Sequence, residues 1–135
     1  MRIFCLLLVV VIEWCHGLVG PASVTYRPGC RSDEMGIRQR LASELMNPLS
    51  ISFENFEIAK TQDKTIGFGQ IRKMGEFHEL ASLYVDPKFR GQGVGSKLVE
   101  RLLARVDDEV YLLTLNETVD FYSRLGFDVT NEIPP

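Results

Sequence analysis

The chain of 135 residues has no basic excess: 15 lysines and arginines stand against 18 acidic residues, a formal net charge of −3. Nucleic acid is thereby excluded as a bulk electrostatic partner, because gripping a phosphate backbone requires a positive surface that displaces its counterions. A small substrate or a short peptide fits better. Cysteine is scarce. Cys5, Cys15 and Cys30 have neither metal-ligand spacing nor the even number of a disulfide framework. With His16 and His78 as the only histidines, no base can be paired with a nucleophilic thiol. All three cysteines are read as non-catalytic, and no metal is expected. There is no internal repeat and no second domain, and the length suits one domain with a real core.

Long apolar runs are also rare, with one exception. Met1 and Arg2 precede an apolar stretch from Ile3 to Ile12, too short to cross a bilayer unaided but the length of a signal-peptide core. Gly17 and Ala22 are the small residues where such a segment could be cut, although neither is a good match to small-x-small: Cys15 and Gly17 flank His16, and Gly20 and Ala22 flank Pro21. Residues 1–22 are therefore read as signal-like or anchor-like, with membrane contact expected through them alone, and residues 23–135 as the folded domain. The compartment stays open. Cleavage after Gly17 would leave Cys30 alone, so no disulfide set supports a secreted life.

What the chain does have is a concentration of glycine. Arg90 to Ser96 reads Arg-Gly-Gln-Gly-Val-Gly-Ser and lies between an apolar run ending at Val85 and an amphipathic stretch from Val94 to Val106. Alternate glycines let a backbone approach a ligand closely, and a helix starting there turns its free N–H groups and positive dipole end outward. Such an arrangement cradles anions. Arg90 adds a fork of donors suited to phosphate oxygens. Lys88, Lys97, Arg101 and Arg105 gather further positive charge nearby, those on the helix also reading as its solvated face. The plain alternative is a glycine-rich turn between strand and helix. A nucleoside-triphosphate loop is ruled out because Gly95, Ser96 and Lys97 come in the wrong order. A dinucleotide fingerprint matches weakly, since residues 86–90 separate the strand from Gly91 and Ser96 stands where a third glycine belongs.

The remaining pattern is mixed α and β around one sheet. Val24 to Arg27 is extended and stopped by Pro28 and Gly29. Ser32 or Asp33 can cap a helix to about Met46, with Ile37, Leu41 and Leu45 on one stripe. Phe56–Lys60 and Thr65–Arg72 flank a polar turn and read as a hairpin, and Phe77–Val85 is the next strand. After the helix bearing Val94, Leu98, Leu102 and Val106 come a strand Val110–Leu115, a short helix Thr118–Leu125 and a strand Phe127–Thr130.

The segment Glu79–Leu98 closely resembles the acetyl-CoA-binding motif of the Gcn5-related N-acetyltransferases (GNAT), whose signature of Arg or Gln, two residues, Gly, one residue, Gly or Ala is met by Arg90, Gly93 and Gly95. Phe121 to Phe127 looks like the family's C-terminal aromatic helix and following strand. The resemblance implies the GNAT acyl-CoA N-acyltransferase fold, acetyl-CoA as co-substrate, and transfer to a primary amine of a small molecule or of a polypeptide lysine or N-terminus. Two departures stand out. The family usually has two helices between its first two strands, where this chain has room for one, and it usually has a further strand after the sixth. A shortened acceptor wall and an open sheet edge, with room for a homodimer, are expected.

Residue by residue, the resemblance implies that Gly91, Gln92, Gly93, Val94, Gly95 and Ser96, with Arg90, hold the diphosphate. Main-chain groups of Leu83, Tyr84 and Val85 would pair with the pantetheine arm like an added strand. Asn116 either contacts that arm or caps the following helix. Transfer to an amine needs a proton acceptor, since an alkylammonium with pKa of about 10 has no free lone pair at neutral pH. Glu79 is the candidate base, its plainer role being a solvent-facing strand acid; strand alternation turns His78 to the other face. Tyr122 is the candidate proton donor to the leaving sulfur, or else a core aromatic. No covalent intermediate is required. The competing readings are a non-catalytic acyl-CoA-binding or membrane-tethered interaction domain and, more distantly, a dinucleotide-dependent oxidoreductase, which competition between acetyl-CoA and NADH would separate.

Overall fold

A computed structural model describes residues 2–4 and 23–134 other than 50, 63 and 133. Apart from residues 3 and 4, the apolar segment Ile3–Ile12 lies outside the described residues, as do the possible cleavage points Gly17 and Ala22. The strands are β1 (Arg2–Phe4), β2 (Val24–Pro28), β3 (Phe56–Thr61), β4 (Lys64–Met74), β5 (Phe77–Val85), β6 (Val110–Leu113) and β7 (Asp128–Thr130). The α-helices are α1 (Glu34–Ser43), α2 (Val94–Leu103) and α3 (Val119–Arg124). The strands form one mixed sheet in the order β2-β3-β4-β5-β6-β1-β7. Among the described residues no helix is long and apolar enough to cross a membrane.

From β2 to β5 the sheet is an antiparallel meander. It is covered on one face by α2, whose Val94, Leu98 and Leu102 recur at helical spacing and are buried against Leu80, Leu83, Val110 and Phe127. Leu98 and Leu102 are fully enclosed, each contributing about 1.5–3 kcal/mol relative to exposure. Gly67 makes this close packing possible: a Cβ there would lie 2.9 Å from the Tyr84 carbonyl oxygen and 3.2 Å from Leu98 Cδ1. The other face carries α1, with Ile37 and Leu41 packed on Phe56, Ile58, Phe68 and Tyr84.

Leu45 does not join the expected stripe. The helix ends at Ser43, and Leu45 sits in the following turn at φ 57°, 84% exposed. Arg101 and Arg105 are also placed differently from the solvated face read for them: both turn back onto the buried carboxylate of Glu57, at 2.9 and 3.9 Å, and Arg105 donates as well to the carbonyls of Glu54 and Phe56. Their charge is matched inside the fold and is not held for a ligand.

The parallel ladder between β5 and β6 contains only the pairs His78↔Val110 and Glu79↔Tyr111, after which the two strands part. The split opens toward the end of β5 from which the glycine-rich loop leaves. On the far side of β6, β1 runs parallel to both β6 and β7 and lies between them. β1 thus occupies the place between β6 and β7, and the sheet ends on β7 as its edge strand.

Candidate active site

The β5 strand does not alternate regularly. Phe68 pairs with Tyr84 and Gln70 with Ala81, so one residue of β4 faces two of β5, and Ser82 takes φ 53° at this bulge. An L-residue in the left-handed region is strained, and here the strain shifts the parity of the strand. Leu80 and Leu83, three apart, both reach the α2 core. Glu79 and Tyr84, five apart, share the α1 face, where they oppose Arg72 and Phe68 of β4. An unbulged strand would place each pair on opposite faces.

The bulge also decides which main-chain groups face the split. Asp86 N donates to Ile66 O across to β4 at 2.7 Å, so alternation turns the groups of Tyr84 toward β4 as well and those of Leu83 and Val85 toward the open side. Of the three residues expected to line a pantetheine arm, these two have their amides and carbonyls at the split, while Tyr84 turns its ring to the α1 face. Arg90 Nε donates to Val85 O at 2.8 Å, tying the loop to the strand and leaving the terminal guanidinium nitrogens to meet a phosphate.

Beyond it, Gly91 and Gly93 have φ of 73° and 83°, and Gly93 is the left-handed residue on which α2 begins. A Cβ at Gly93 would meet nothing within 4 Å, so the protein does not fill the space in front of it. The first intrahelical bond runs from Lys97 N to Gly93 O, and helix geometry leaves the N–H groups of Val94, Gly95 and Ser96 without a partner in the helix. Gln92 donates to Lys88 O at 3.3 Å and steadies the turn. An open amide nest, a dipole end and a strand edge that β6 has left, leading to it, fit the diphosphate and amide-bearing arm of a coenzyme A thioester.

Tyr122 lies in α3, 4% exposed, edge-on to both Phe121 and Phe127. Burial pushes its phenol pKa further above the ordinary value, keeping it protonated at neutral pH. It makes no hydrogen bond among the described residues. Phe121 reaches toward the loop, since a Cβ at Gly95 would lie 3.4 Å from its ring, so α3 and the start of α2 are neighbours. Asn116 is exposed in the turn just after β6 and is not the residue that caps α3, which begins on Thr118.

Glu79 sits where β5 and β6 pinch together, its Oε2 held 2.6 Å from Arg72 Nε. His78, on the opposite face, has Nδ1 3.4 Å from Asp108 Oδ2, an approach without hydrogen-bond geometry. The two side chains thus lie on opposite faces of β5, as strand alternation predicts. Sequence reading missed Gln70: 2% exposed, it donates to Ser82 Oγ at 2.9 Å, while its own amide oxygen is buried without a partner. The odd spacing of Leu80 and Leu83 was the available signal for the bulge that it braces. Among the described residues no group of His, Cys, Asp and Glu is arranged to hold a metal.

The sequence pattern of the acetyltransferase (GNAT) domain family matches residues 52–129, more than half of the chain. The chain belongs to this family. A GCN5-related N-acetyltransferase 2, chloroplastic, of Arabidopsis thaliana is 34% identical over 90 residues, covering 62% of this chain and 34% of that protein. A peptidyl-lysine N-acetyltransferase of Salmonella typhimurium is 37% identical over 75 residues, covering 51% of this chain and 46% of that one. The chain therefore spans between a third and a half of the length of these curated relatives. A crystal structure of a Mycobacterium tuberculosis protein in complex with CoA and NLQ is similar at TM-score 0.71 and 25% identity, over 82% of this chain and 75% of that one.

Proposed function

We propose that the protein is an N-acetyltransferase that moves an acetyl group from acetyl-CoA to a primary amine by direct transfer within a ternary complex. The observation that carries this reading is the continuity of the β5 edge at Leu83 and Val85, which β6 leaves, with the left-handed Gly93 nest. Acetyl-CoA supplies an activated thioester; the protein's own contribution is position and proton traffic. The Leu83 amide, released from the β4 ladder by the bulge, polarises the acetyl carbonyl in the manner of an oxyanion contact. As the amine nitrogen forms its bond to the acetyl carbon and the carbon–sulfur bond breaks, the nitrogen loses a proton and the sulfur gains one. Glu79, held by Arg72, accepts the first through water, and Tyr122 donates the second.

Calorimetry with acetyl-CoA followed by initial-rate kinetics on an amine panel tests the proposal. Intersecting lines in the two-substrate plot are expected, and an isolable acetyl-enzyme would contradict direct transfer. Glu79→Gln is expected to lower kcat by about 10²-fold, in the range for general acid–base groups, with acetyl-CoA binding retained. Tyr122→Phe is expected to leave binding intact and slow turnover; equal loss of both would make Tyr122 a packing residue. The engagement of Glu79 by Arg72 favours one other reading, a non-catalytic acyl-CoA-binding domain, which predicts coenzyme binding without turnover on any amine.

A further inference from the structure

On the α1 face, beside the proposed transfer site, lies a cavity of about 200 Å³ between α1 and strands β3 to β5. It is smaller than the roughly 300–1,000 Å³ of drug-sized sites, so its occupant is a small molecule. Its floor is apolar, formed by Ile58 and Phe68 with the ring of Tyr84 beside them, and the hydroxyl of Thr65 stands at one side. Two charged residues line it. Asp33 is already matched: its two carboxylate oxygens take hydrogen bonds from Arg27 at 2.7 and 2.8 Å and from the Cys30 amide at 2.8 Å. Arg40 is held more loosely, by an ion pair with Glu44 and no side-chain hydrogen bond among the described residues. Its guanidinium lies over the Tyr84 ring at 5.1 Å, and its nearest carboxylate oxygen, on Glu44, is 3.9 Å away, beyond hydrogen-bond distance.

The cavity thus has an apolar floor and one guanidinium, loosely paired with Glu44, whose planar donors make no hydrogen bond among the described residues and suit a carboxylate. Its place relative to the split follows from the strand. Tyr84 directly succeeds Leu83, whose main chain faces the thioester position, and one strand residue spans only about 3.3 Å. Resting on the acetyltransferase reading above, we infer that the acceptor is a small amine bearing a carboxylate, an amino acid or a close relative, with Arg40 holding the carboxylate and so bringing the amine beside the acetyl carbon. A lysine side chain within a polypeptide has no such carboxylate near its amine and would leave Arg40 unused.

The test uses matched acceptors, leucine against isoamylamine and phenylalanine against phenethylamine, within a panel of the common amino acids, free polyamines and lysine-containing peptides. Acetyl-CoA binding is first confirmed by titration. The carboxylate-bearing member of each pair is expected to show at least tenfold higher kcat/KM. Arg40→Gln is expected to raise the acceptor KM tenfold or more and abolish that preference without changing the KM for acetyl-CoA, and Arg40→Lys to restore part of it. Equal use of both members, preference for peptide lysine, or an acceptor KM indifferent to Arg40→Gln would overturn the inference. If no acceptor turns over, titration of the amino acids into the CoA-saturated protein decides: no saturable binding overturns the substrate class alone. Failure to bind acetyl-CoA in the first step would instead overturn the acetyltransferase reading.

Discussion

The two faces of the β4–β5 pair are built differently. Toward α2 the pair presents Leu80 and Leu83 to a continuous apolar core, with Gly67 allowing the helix to sit close. Toward α1 it presents the Arg72–Glu79 ion pair, the buried amide of Gln70 with an oxygen left unpartnered, and Tyr84 beneath Arg40. The α2 face is mainly apolar, with His78 Nδ1 as its buried atom lacking a hydrogen bond, whereas the α1 face gathers several polar side chains and leaves Gln70 Oε1 without one among the described residues. An unpaired buried acceptor such as Gln70 Oε1 costs stability. Ser82 links the two arrangements, because the strain of its φ 53° is what turns Glu79 and Tyr84 to one side and Leu80 and Leu83 to the other.

If this division is right, substitutions should separate binding from stability. The largest effect on function is expected at Gly93. Valine there would force a β-branched residue to φ 83° and fill the space in front of the nest, so Gly93→Val is expected to weaken acetyl-CoA at least a hundredfold by calorimetry. Retained affinity in folded protein would show that the diphosphate is gripped elsewhere. Next is the α2 face. Leu102→Ala removes a fully buried side chain and is expected to cost about 2–5 kcal/mol in denaturant unfolding, with coenzyme affinity per folded molecule little changed. Comparable losses of affinity in both variants would erase the distinction between the two faces.

Much of the frame was legible in the chain. The helix after the loop could be read because Val94, Leu98 and Leu102 recur at its own period, and the loop because Gly91 and Gly93 sit where φ is positive, both local signals. The strand Phe77–Val85 was found with its bounds, but its faces were not, since a single inserted residue at Ser82 changes which side chains meet without altering composition. The roles of Arg101 and Arg105 were hidden for a similar reason: their partner Glu57 lies 44 and 48 positions away, and helical periodicity alone places them in solvent. Arg72 beside Glu79 and Arg40 over Tyr84 likewise exist only once strand register and helix packing are set. Local pattern specifies elements; the site is made of contacts between them.

The smallest expected effect probes the wall of the α1-face cavity by pH. The Arg27 hydrogen bonds, opposed by desolvation and aided by the Cys30 amide, hold the Asp33 carboxyl well below the usual carboxylate range. Its folded pKa is thus lower than its unfolded one, near 3.9, so the stabilisation is present above about pH 4 and is lost as the pH falls below it toward the folded value. Asp33→Asn is therefore expected to lower Tm by a few degrees at pH 7, and this gap should narrow as the pH is taken below about 4, where the wild-type carboxylate begins to protonate in the unfolded chain. The same variant leaves Arg27 unmatched beside the cavity. If carboxylate recognition depends on the free donors of Arg40, Asp33→Asn should blunt selectivity between leucine and isoamylamine less than Arg40→Gln does, and a larger loss from Asp33→Asn would move the recognition site from the Arg40 end of the cavity to the Asp33 end.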